Sequence, residues 1–174
     1  MQVLDIGAGK VIIPIECDKL VRLDANKENG PDIVHDIMNP LPKKLIGEFD
    51  MVYMSHVLEH IPRPHVLTAL HNVVEAVKPG GEMWIIVPSL EWMVSSYDRF
   101  RPTTSMFHLS MFGGQQNEFD YHYSAFSLYD LRYIMEGIGL TVRDAYQTPF
   151  QIQYGDKVGE GKQNISIGVR LPVE

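Results

Sequence analysis

The run "SHVLEHIPRP" at residues 55–64 places two imidazoles and a carboxylate within a short stretch of chain. If the run is helical, His56, Glu59 and His60 fall at positions i, i+3 and i+4 and project from one face. Side chains of these types at this spacing can bind a metal ion, relay a proton, or form a polar helix start without chemistry. Which of these applies depends on the elements that position the three residues.

Length and composition indicate a single globular domain over residues 1–174, because a chain of this size can bury its own core. A net charge of −7 without a cluster of Lys or Arg argues against binding nucleic acid by charge. Cys17 is the only cysteine, which indicates a reducing, cytoplasmic location. The chain has no run that resembles a secretory leader or a membrane span, so we expect no membrane partner, and the oligomeric state is not predicted.

Short runs rich in Val, Ile and aromatic residues predict strands in the first half of the chain. Between the last two of them, an apolar stripe from Val66 to Val77 has helical spacing and ends at "KPGG". Pro62 or Pro64 can open this helix, which completes a βαβ unit. The predicted strands of this half cover residues 3–8, 20–25, 32–36, 49–55 and 82–89.

The second half predicts a helix at 128–138, with Ser127 as its N-cap and Gly139 as its C-cap. Two strands at 140–147 and 164–171 then form an antiparallel pair around a polar, glycine-containing loop. The alternation of strands and helices predicts an α/β fold with a Rossmann-like, mostly parallel sheet and this C-terminal antiparallel pair. Only about ten residues join the first two strands and about seven the next two, so the first crossover helices must be shortened or absent.

Small and acidic residues follow consecutive strands at the carboxyl edge, where open α/β sheets bind their ligands. Gly7-Ala8-Gly9 would let a ligand lie against backbone, and Asp24 is placed to accept hydrogen bonds from ribose hydroxyls. Asp36 ends the third strand and Ser55 the fourth. A dehydrogenase would use Asp24 equally well, but the chain lacks the G-x-G-x-x-G fingerprint.

These motifs together resemble the class I S-adenosylmethionine-dependent methyltransferases, in particular the short type 11-like members, over nearly the whole chain. "VLDIGAG", "RLDAN", "VHDI" and "FDMVYMSHVLEHI" are similar to the first four motifs of that family. "VVEAVKPGGEMWIIVPS" is similar to its helix, Pro-Gly-Gly turn and fifth strand. The chain departs from the pattern at Val11, which stands in place of the third glycine of the first motif.

The resemblance implies S-adenosylmethionine as cofactor and methyl transfer to a hydroxyl or amine of a small polar acceptor. Gly7 and Gly9 would approach its methionine part, Asp5 would order the loop through water, and Asp24 would take the ribose. Val11 and the trimmed helices leave an alternative, a non-catalytic cofactor-binding module or regulatory subunit. The implied cofactor-binding set is Asp5, Gly7, Ala8, Gly9, Asp24, Asp36, Ile37 and Ser55.

The segment 90–126 is longer than an ordinary connection, and eight of the 17 aromatic residues lie on 92–123. It is either a hydrophobic cluster over the sheet edge or a substrate lid that pivots near Gly113-Gly114. Its "FGGQ…YHY" stretch is similar to methyltransferases encoded beside polysaccharide genes, which implies an acceptor such as a sugar.

Removing a proton from the acceptor requires a base, and the candidates are His56 and His122, with His108 behind them. We interpret His35, inside a strand, and His71, opposite the apolar stripe of a helix, as structural.

A metal site is a further possibility in the same run. His56, Glu59 and His60 resemble in spacing the Glu-x-x-Glu-His motif of small-RNA 2′-O-methyltransferases and some quinone-pathway O-methyltransferases. In those enzymes a later histidine completes the site, and His122 stands in the matching place. The resemblance implies a divalent metal on these four residues, and their nitrogen content favours Zn²⁺, Mn²⁺ or Fe²⁺ over Mg²⁺. The competing interpretation is a polar cap without metal, as many relatives carry.

Overall fold

The computed structural model describes residues 1–10, 12–96, 106–154 and 157–170, which contain seven strands in one sheet. The first five strands pair in parallel, and the last strand runs antiparallel to both of its neighbours. The strands are β1 (Gln2–Ile6), β2 (Lys19–Asp24), β3 (Ile33–Val34), β4 (Phe49–Ser55), β5 (Val77–Pro88), β6 (Thr141–Tyr154) and β7 (Lys157–Arg170). Their order is β3-β2-β1-β4-β5-β7-β6, so β7 is inserted between β5 and β6. The predicted sheet and its antiparallel pair are confirmed.

Within the described residues, four α-helices accompany the sheet: α1 (Val66–Val74), α2 (Leu90–Ser96), α3 (Met106–Phe112) and α4 (Leu128–Gly137). The buried face of α1 repeats at helical spacing through Val66, Ala69, Leu70 and Val73, which join the main hydrophobic core. None of the helices in the described ranges is long and apolar enough to span a lipid bilayer.

The start of α4 is fixed by a reciprocal capping box. Ser127 Oγ accepts a hydrogen bond from Asp130 N at 2.9 Å, and the Asp130 carboxylate accepts one from Ser127 N at 2.9 Å. These bonds satisfy two backbone donors that a helix start leaves open, as the sequence predicts. Gly139 follows with φ +86°, a left-handed conformation that suits glycine at a helix end.

The predicted loss of the first crossover helices is confirmed. Between β1 and β2, residues 7–10 and 12–18 contain no helix, and Lys27–Asn29 between β2 and β3 is one 3₁₀ turn. Backbone hydrogen bonds from Gly7 N and Ala8 N to Leu23 O, at 2.8 and 3.2 Å, fix the chain where it leaves β1. Val11, which carries the departure from the family pattern, lies outside the described residues.

Three strands, β5, β6 and β7, are longer than the sequence predicts, and the pairing register shifts where each extension begins. β5 starts before Pro79, so the "KPGG" turn predicted to end α1 lies in the strand, where pairing with β4 shifts between Phe49 and Met51. Residues 148–154 and 157–163, predicted as polar loop, continue the β6–β7 ladder. Pairing shifts between Thr148 and Phe150, around Pro149, which cannot donate to a ladder and is tolerated at such a shift.

Candidate functional site

A cavity of about 420 Å³ opens where β1, β2 and β4 end, at the edge that the sequence predicts for a ligand. This volume lies in the range of small-molecule and cofactor sites. The lining residues come from the loops after four strands and from the segment after α3. They are Ile6, Gly7, Gly9, Leu23, Asp24, Ala25, Asn29, His35, Asp36, Ile37, Met38, His56, Val57, His60, Ile61, Pro62, Glu118, Phe119 and Tyr123.

The glycines after β1 have different physical reasons for lacking a side chain. Gly7 has φ +65°, and a Cβ there would lie 2.2 Å from Val57 Cγ2, so glycine lets this loop pack against the chain after β4. Gly9 has φ +53°, and a Cβ there would meet nothing nearer than Gly7 O at 3.9 Å. Gly9 therefore leaves backbone open toward the cavity, whereas Ala8 is buried behind the wall.

Asp24 is buried and joins three parts of the cavity edge. One carboxylate oxygen accepts from Gly9 N at 2.8 Å and from Asn29 Nδ2 at 3.0 Å, and the other accepts from Asn26 N at 2.8 Å. Because each carboxylate oxygen has two acceptor positions, the oxygen bonded to Asn26 can accept one more hydrogen bond. Asp24 can therefore organise the loops and contact a ligand together.

The chain after β3 forms another part of the wall. Asp36 Oδ1 accepts from Met38 N at 2.9 Å, and Ile37 is buried with its carbonyl oxygen 2.8 Å from Asn72 Nδ2 of α1. Asp36 and Ile37 both line the cavity. Ser55 is half-buried at the end of β4 and is not among the described lining residues.

Asp5 lies beneath the wall, in the sheet itself. Its side chain is buried, and Oδ2 has no hydrogen-bond partner within the described part of the chain. Burial raises the pKa of Asp5 to about 6, although the Arg22 guanidinium opposes that shift and the Asp24 carboxylate adds to it. Asp5 is not among the described residues that line the cavity.

The run that opens the sequence analysis is not one continuous helix. His56 has φ +55°, which is rare for a residue with a side chain, and Leu58–His60 forms a separate 3₁₀ turn. The left-handed turn nevertheless brings His56 back to Glu59, with 3.1 Å between Nδ1 and Oε1. A strained conformation on a cavity wall is typical of functional sites.

Glu59 and His56 stabilise each other's charged forms. Burial alone would lower the pKa of His56, but the hydrogen bond and charge of Glu59 outweigh it and hold that pKa above the ordinary value. Burial would likewise raise the pKa of Glu59, but hydrogen bonding to His56 and the nearby imidazoles hold it below the usual range. The pair is therefore a carboxylate-oriented imidazole on the cavity wall.

His122 lies close to this pair because the segment after α3 is bound to the 3₁₀ turn. Tyr123 N and Ser124 N donate to Glu59 O at 2.8 and 3.1 Å. The His60 and His122 rings are 4.7 Å apart between centroids and nearly perpendicular. Burial lowers the pKa of His122, and the Glu59 carboxylate opposes that shift only in part. His122 is not among the described residues that line the cavity.

Of the four residues predicted as metal ligands, three come together. One donor atom from each of Glu59, His60 and His122 lies within 4.8 Å of the other two, whereas His56 is outside that group.

Sequence reasoning missed several wall residues. His35, interpreted as a structural strand residue, follows β3 and lines the cavity next to Asp36. The segment after α3 folds back onto the cavity and contributes Glu118, Phe119 and Tyr123 to its wall. Residue spacing does not predict such a long-range contact. The aromatic richness of 92–123 was the available signal for that side of the site. His108 is exposed on α3, and residues 97–105 of the predicted lid lie outside the described residues.

Comparison with known proteins defines the class. A family model described as a methyltransferase domain matches residues 1–145. A SAM-dependent methyltransferase from Methanosarcina mazei has a similar structure, with a TM-score of 0.69, 16% identity, and coverage of 99% of this chain and 93% of that one. The N-methyltransferase NodS from Bradyrhizobium japonicum, in complex with S-adenosyl-L-homocysteine, is also similar, with a TM-score of 0.58 and 17% identity. That match covers 98% of this chain and 78% of NodS. No curated protein sequence matches significantly.

The matched model covers most of the chain. The chain belongs to the methyltransferase-domain family, and its fold is the class I fold of S-adenosylmethionine-dependent methyltransferases. This finding confirms the family predicted from the sequence motifs and favours an enzyme over the non-catalytic binding module.

Proposed function

We propose that this methyltransferase transfers the methyl group of S-adenosylmethionine to a hydroxyl or amine of a small polar acceptor such as a sugar. One observation carries the proposal: the carboxylate-oriented imidazole of His56 lies on the same cavity wall as Gly9, Asp24 and Asp36. A cofactor-sized space and a proton acceptor are therefore adjacent.

The cavity fits the cofactor that the family implies. Gly9 presents open backbone, Asp24 has an acceptor position left for a ribose hydroxyl, and Asp36 with Ile37 forms a wall suited to a base. When bound, the cofactor supplies a methyl group already activated by its sulfonium. The proposed cofactor-binding set also includes four residues that form or support the loops of the cavity: Asp5, Gly7, Ala8 and Ser55.

The chain's own task is then to hold the acceptor, exclude water and accept a proton. His56 is the proposed proton acceptor, because Glu59 fixes its ring orientation through Nδ1 and stabilises the imidazolium that forms. Tyr123 and Glu118 give the wall hydrogen-bonding groups for a polar acceptor, and Phe119 supplies an apolar face. His122 stays a second candidate base, and segment 90–126 the proposed lid.

The test is to incubate the purified chain with S-adenosylmethionine and a panel of sugars and small amines, and to measure S-adenosylhomocysteine. With the acceptor that reacts, His56→Gln should lower turnover by about 10²- to 10⁴-fold while cofactor affinity stays near that of the wild type. His71→Gln is the matched control, because His71 is exposed on α1 and lies outside the cavity wall.

Two outcomes would contradict the proposal. Cofactor binding without product under every acceptor would favour the binding module, and full activity of His56→Gln would remove the assigned base. The cytoplasmic location indicated by the lone Cys17 stays part of the proposal, as does a small-molecule partner.

A further inference from the structure

A group of three residues beside the cavity, which we call the Glu-His-His cluster, consists of Glu59, His60 and His122. Its members come from distant parts of the chain, because His60 and Tyr121, the neighbour of His122, are 61 residues apart. Glu59 and His60 come from the 3₁₀ turn after β4, and His122 comes from the segment after α3. Their donor atoms lie within 4.8 Å of one another. Ligand atoms about 2.1 Å from one ion are roughly 3 to 3.5 Å apart, so small side-chain shifts would complete a site.

Both imidazoles are oriented by backbone carbonyls. His60 Nδ1 is 3.0 Å from Tyr121 O, and His122 Nδ1 is 2.8 Å from Ser110 O. A carbonyl oxygen only accepts, so each Nδ1 carries the proton and each Nε2 carries a lone pair. This arrangement is typical of metal-binding histidines, whose other ring nitrogen donates to a carbonyl or carboxylate.

The carboxylate supplies a second, independent indication. Glu59 is only 1% exposed, and His56 occupies Oε1. Oε2 is buried and has no hydrogen-bond partner in the ranges that the structure describes. A buried carboxylate oxygen without a partner is costly, and a bound cation would remove that cost.

We propose that Glu59 Oε2, His60 Nε2 and His122 Nε2 bind one divalent transition-metal ion, with His56 holding the other carboxylate oxygen from outside the ligand set. Two imidazoles and one carboxylate suit Zn²⁺, Mn²⁺ or Fe²⁺ better than Mg²⁺, which prefers oxygen ligands. His60 lies on the cavity wall, so a position left open on the ion can face an acceptor hydroxyl. That last role rests on the proposed function, whereas ion binding does not.

The test uses the full chain after chelator treatment, with Mn²⁺, Zn²⁺ or Co²⁺ added alone. We expect one ion per chain by elemental analysis, a raised Tm, and visible absorption bands of Co²⁺ bound to nitrogen and oxygen ligands. Glu59→Gln and His122→Gln should each weaken binding by more than 100-fold. His56→Gln should weaken it by about 10- to 100-fold, as expected for a residue that supports a ligand. His71→Gln is the control and should bind like the wild type.

A wild-type chain that binds none of these ions overturns the proposal, as does His122→Gln with unchanged Co²⁺ absorption. If Glu59→Gln does not fold, His122→Gln and the Co²⁺ spectrum decide the matter. Calorimetry with S-adenosylhomocysteine separates the two proposals. Cofactor binding and turnover by a chain that binds none of these ions refute the ion site alone, and metal binding without turnover under any acceptor refutes the proposed function alone.

Discussion

At the scale of single residues, Asp24 combines two roles that the sequence suggested only in part. Its carboxylate fixes Gly9, Asn26 and Asn29 and also reaches the cavity. We expect Asp24→Asn to weaken S-adenosylhomocysteine binding by roughly 1.5 to 3 kcal/mol, because hydrogen bonds to a charged acceptor are lost with little change in volume. Isothermal titration calorimetry measures this loss.

The matched control for that substitution is Glu28→Gln, which removes the same charge from an exposed side chain in the neighbouring 3₁₀ turn. Its cofactor affinity should equal that of the wild type. Equal affinities of Asp24→Asn and the wild type would remove the ribose assignment.

Asp5 gives a prediction about pH and stability. Its pKa is about 6 in the folded chain against an ordinary value of 3.8, so the folded state holds the proton more tightly than the unfolded state. The contribution of Asp5 to the free energy of unfolding is therefore largest below about pH 4 and falls as the pH rises to about 6. The total loss is about 3 kcal/mol.

Asp5→Asn removes this titration while keeping the shape of the side chain. Urea unfolding between pH 4 and pH 7 should show that the wild type loses stability relative to Asp5→Asn over this interval. Parallel pH profiles of the two proteins would show that Asp5 ionises in the folded state as it does in the unfolded chain.

At the scale of elements, the Arg22 side chain holds together two loops at the ligand edge of the sheet, where the first crossover helices are missing. Its guanidinium donates to Gly9 O at 2.6 Å and to Gly30 O at 3.4 Å, and so connects the loops after β1 and β2. Arg22→Lys should lower cofactor affinity by about tenfold, because one ammonium cannot replace a forked donor to two carbonyls. Isothermal titration calorimetry measures this cofactor affinity, and Arg132→Lys, a substitution of an exposed residue of α4, is the control. If both variants bind alike, the loops are held by other contacts.

The elements that could be predicted are those whose signals are local. β4 has the predicted bounds of 49–55, and α4 starts at the predicted Ser127 cap, since apolar runs and capping side chains act over a few residues. The ribbon formed by residues 148–154 and 157–163 was predicted as loop because proline, glycine and polar residues dominate it. Its strand state comes from backbone pairing between distant segments, which composition does not encode.

In the candidate site too, the residues placed by local signals could be predicted, whereas those placed by long-range contacts could not. Gly9, Asp24 and Asp36 could be placed because each lies at the carboxyl end of a strand or within three residues after it, at one edge of the sheet. The left-handed His56 is followed by Val57, which packs against Gly7, a residue 50 positions away in sequence, and residue spacing does not predict such a contact. Glu118 and Phe119 also line the cavity because a segment distant in sequence folds back onto it.

At the scale of the whole molecule, the segment after α3 is the part that ligands should affect most. It contacts the 3₁₀ turn through Tyr123 and lines the cavity through Glu118 and Phe119. We expect S-adenosylhomocysteine with an acceptor to slow chymotrypsin cleavage at the aromatic residues of 106–123 several-fold, because closure orders a lid. Mass spectrometry of the fragments measures this, with cleavage at the exposed Tyr129 and Tyr133 as the internal control.

Equal cleavage of 106–123 with and without these ligands would favour a fixed aromatic cluster over a lid.

The position of β7 has a consequence for how the chain is made. β7 follows every other strand in sequence, yet it pairs through residues 164–170 with 82–88 of β5, in the interior of the sheet. During synthesis, the β5 edge therefore stays unpaired while the ribosome adds the next 76 residues, which takes roughly 4 to 15 seconds. Throughout that interval an apolar strand edge is open to pairing with other nascent chains, and only the arrival of β7 covers it.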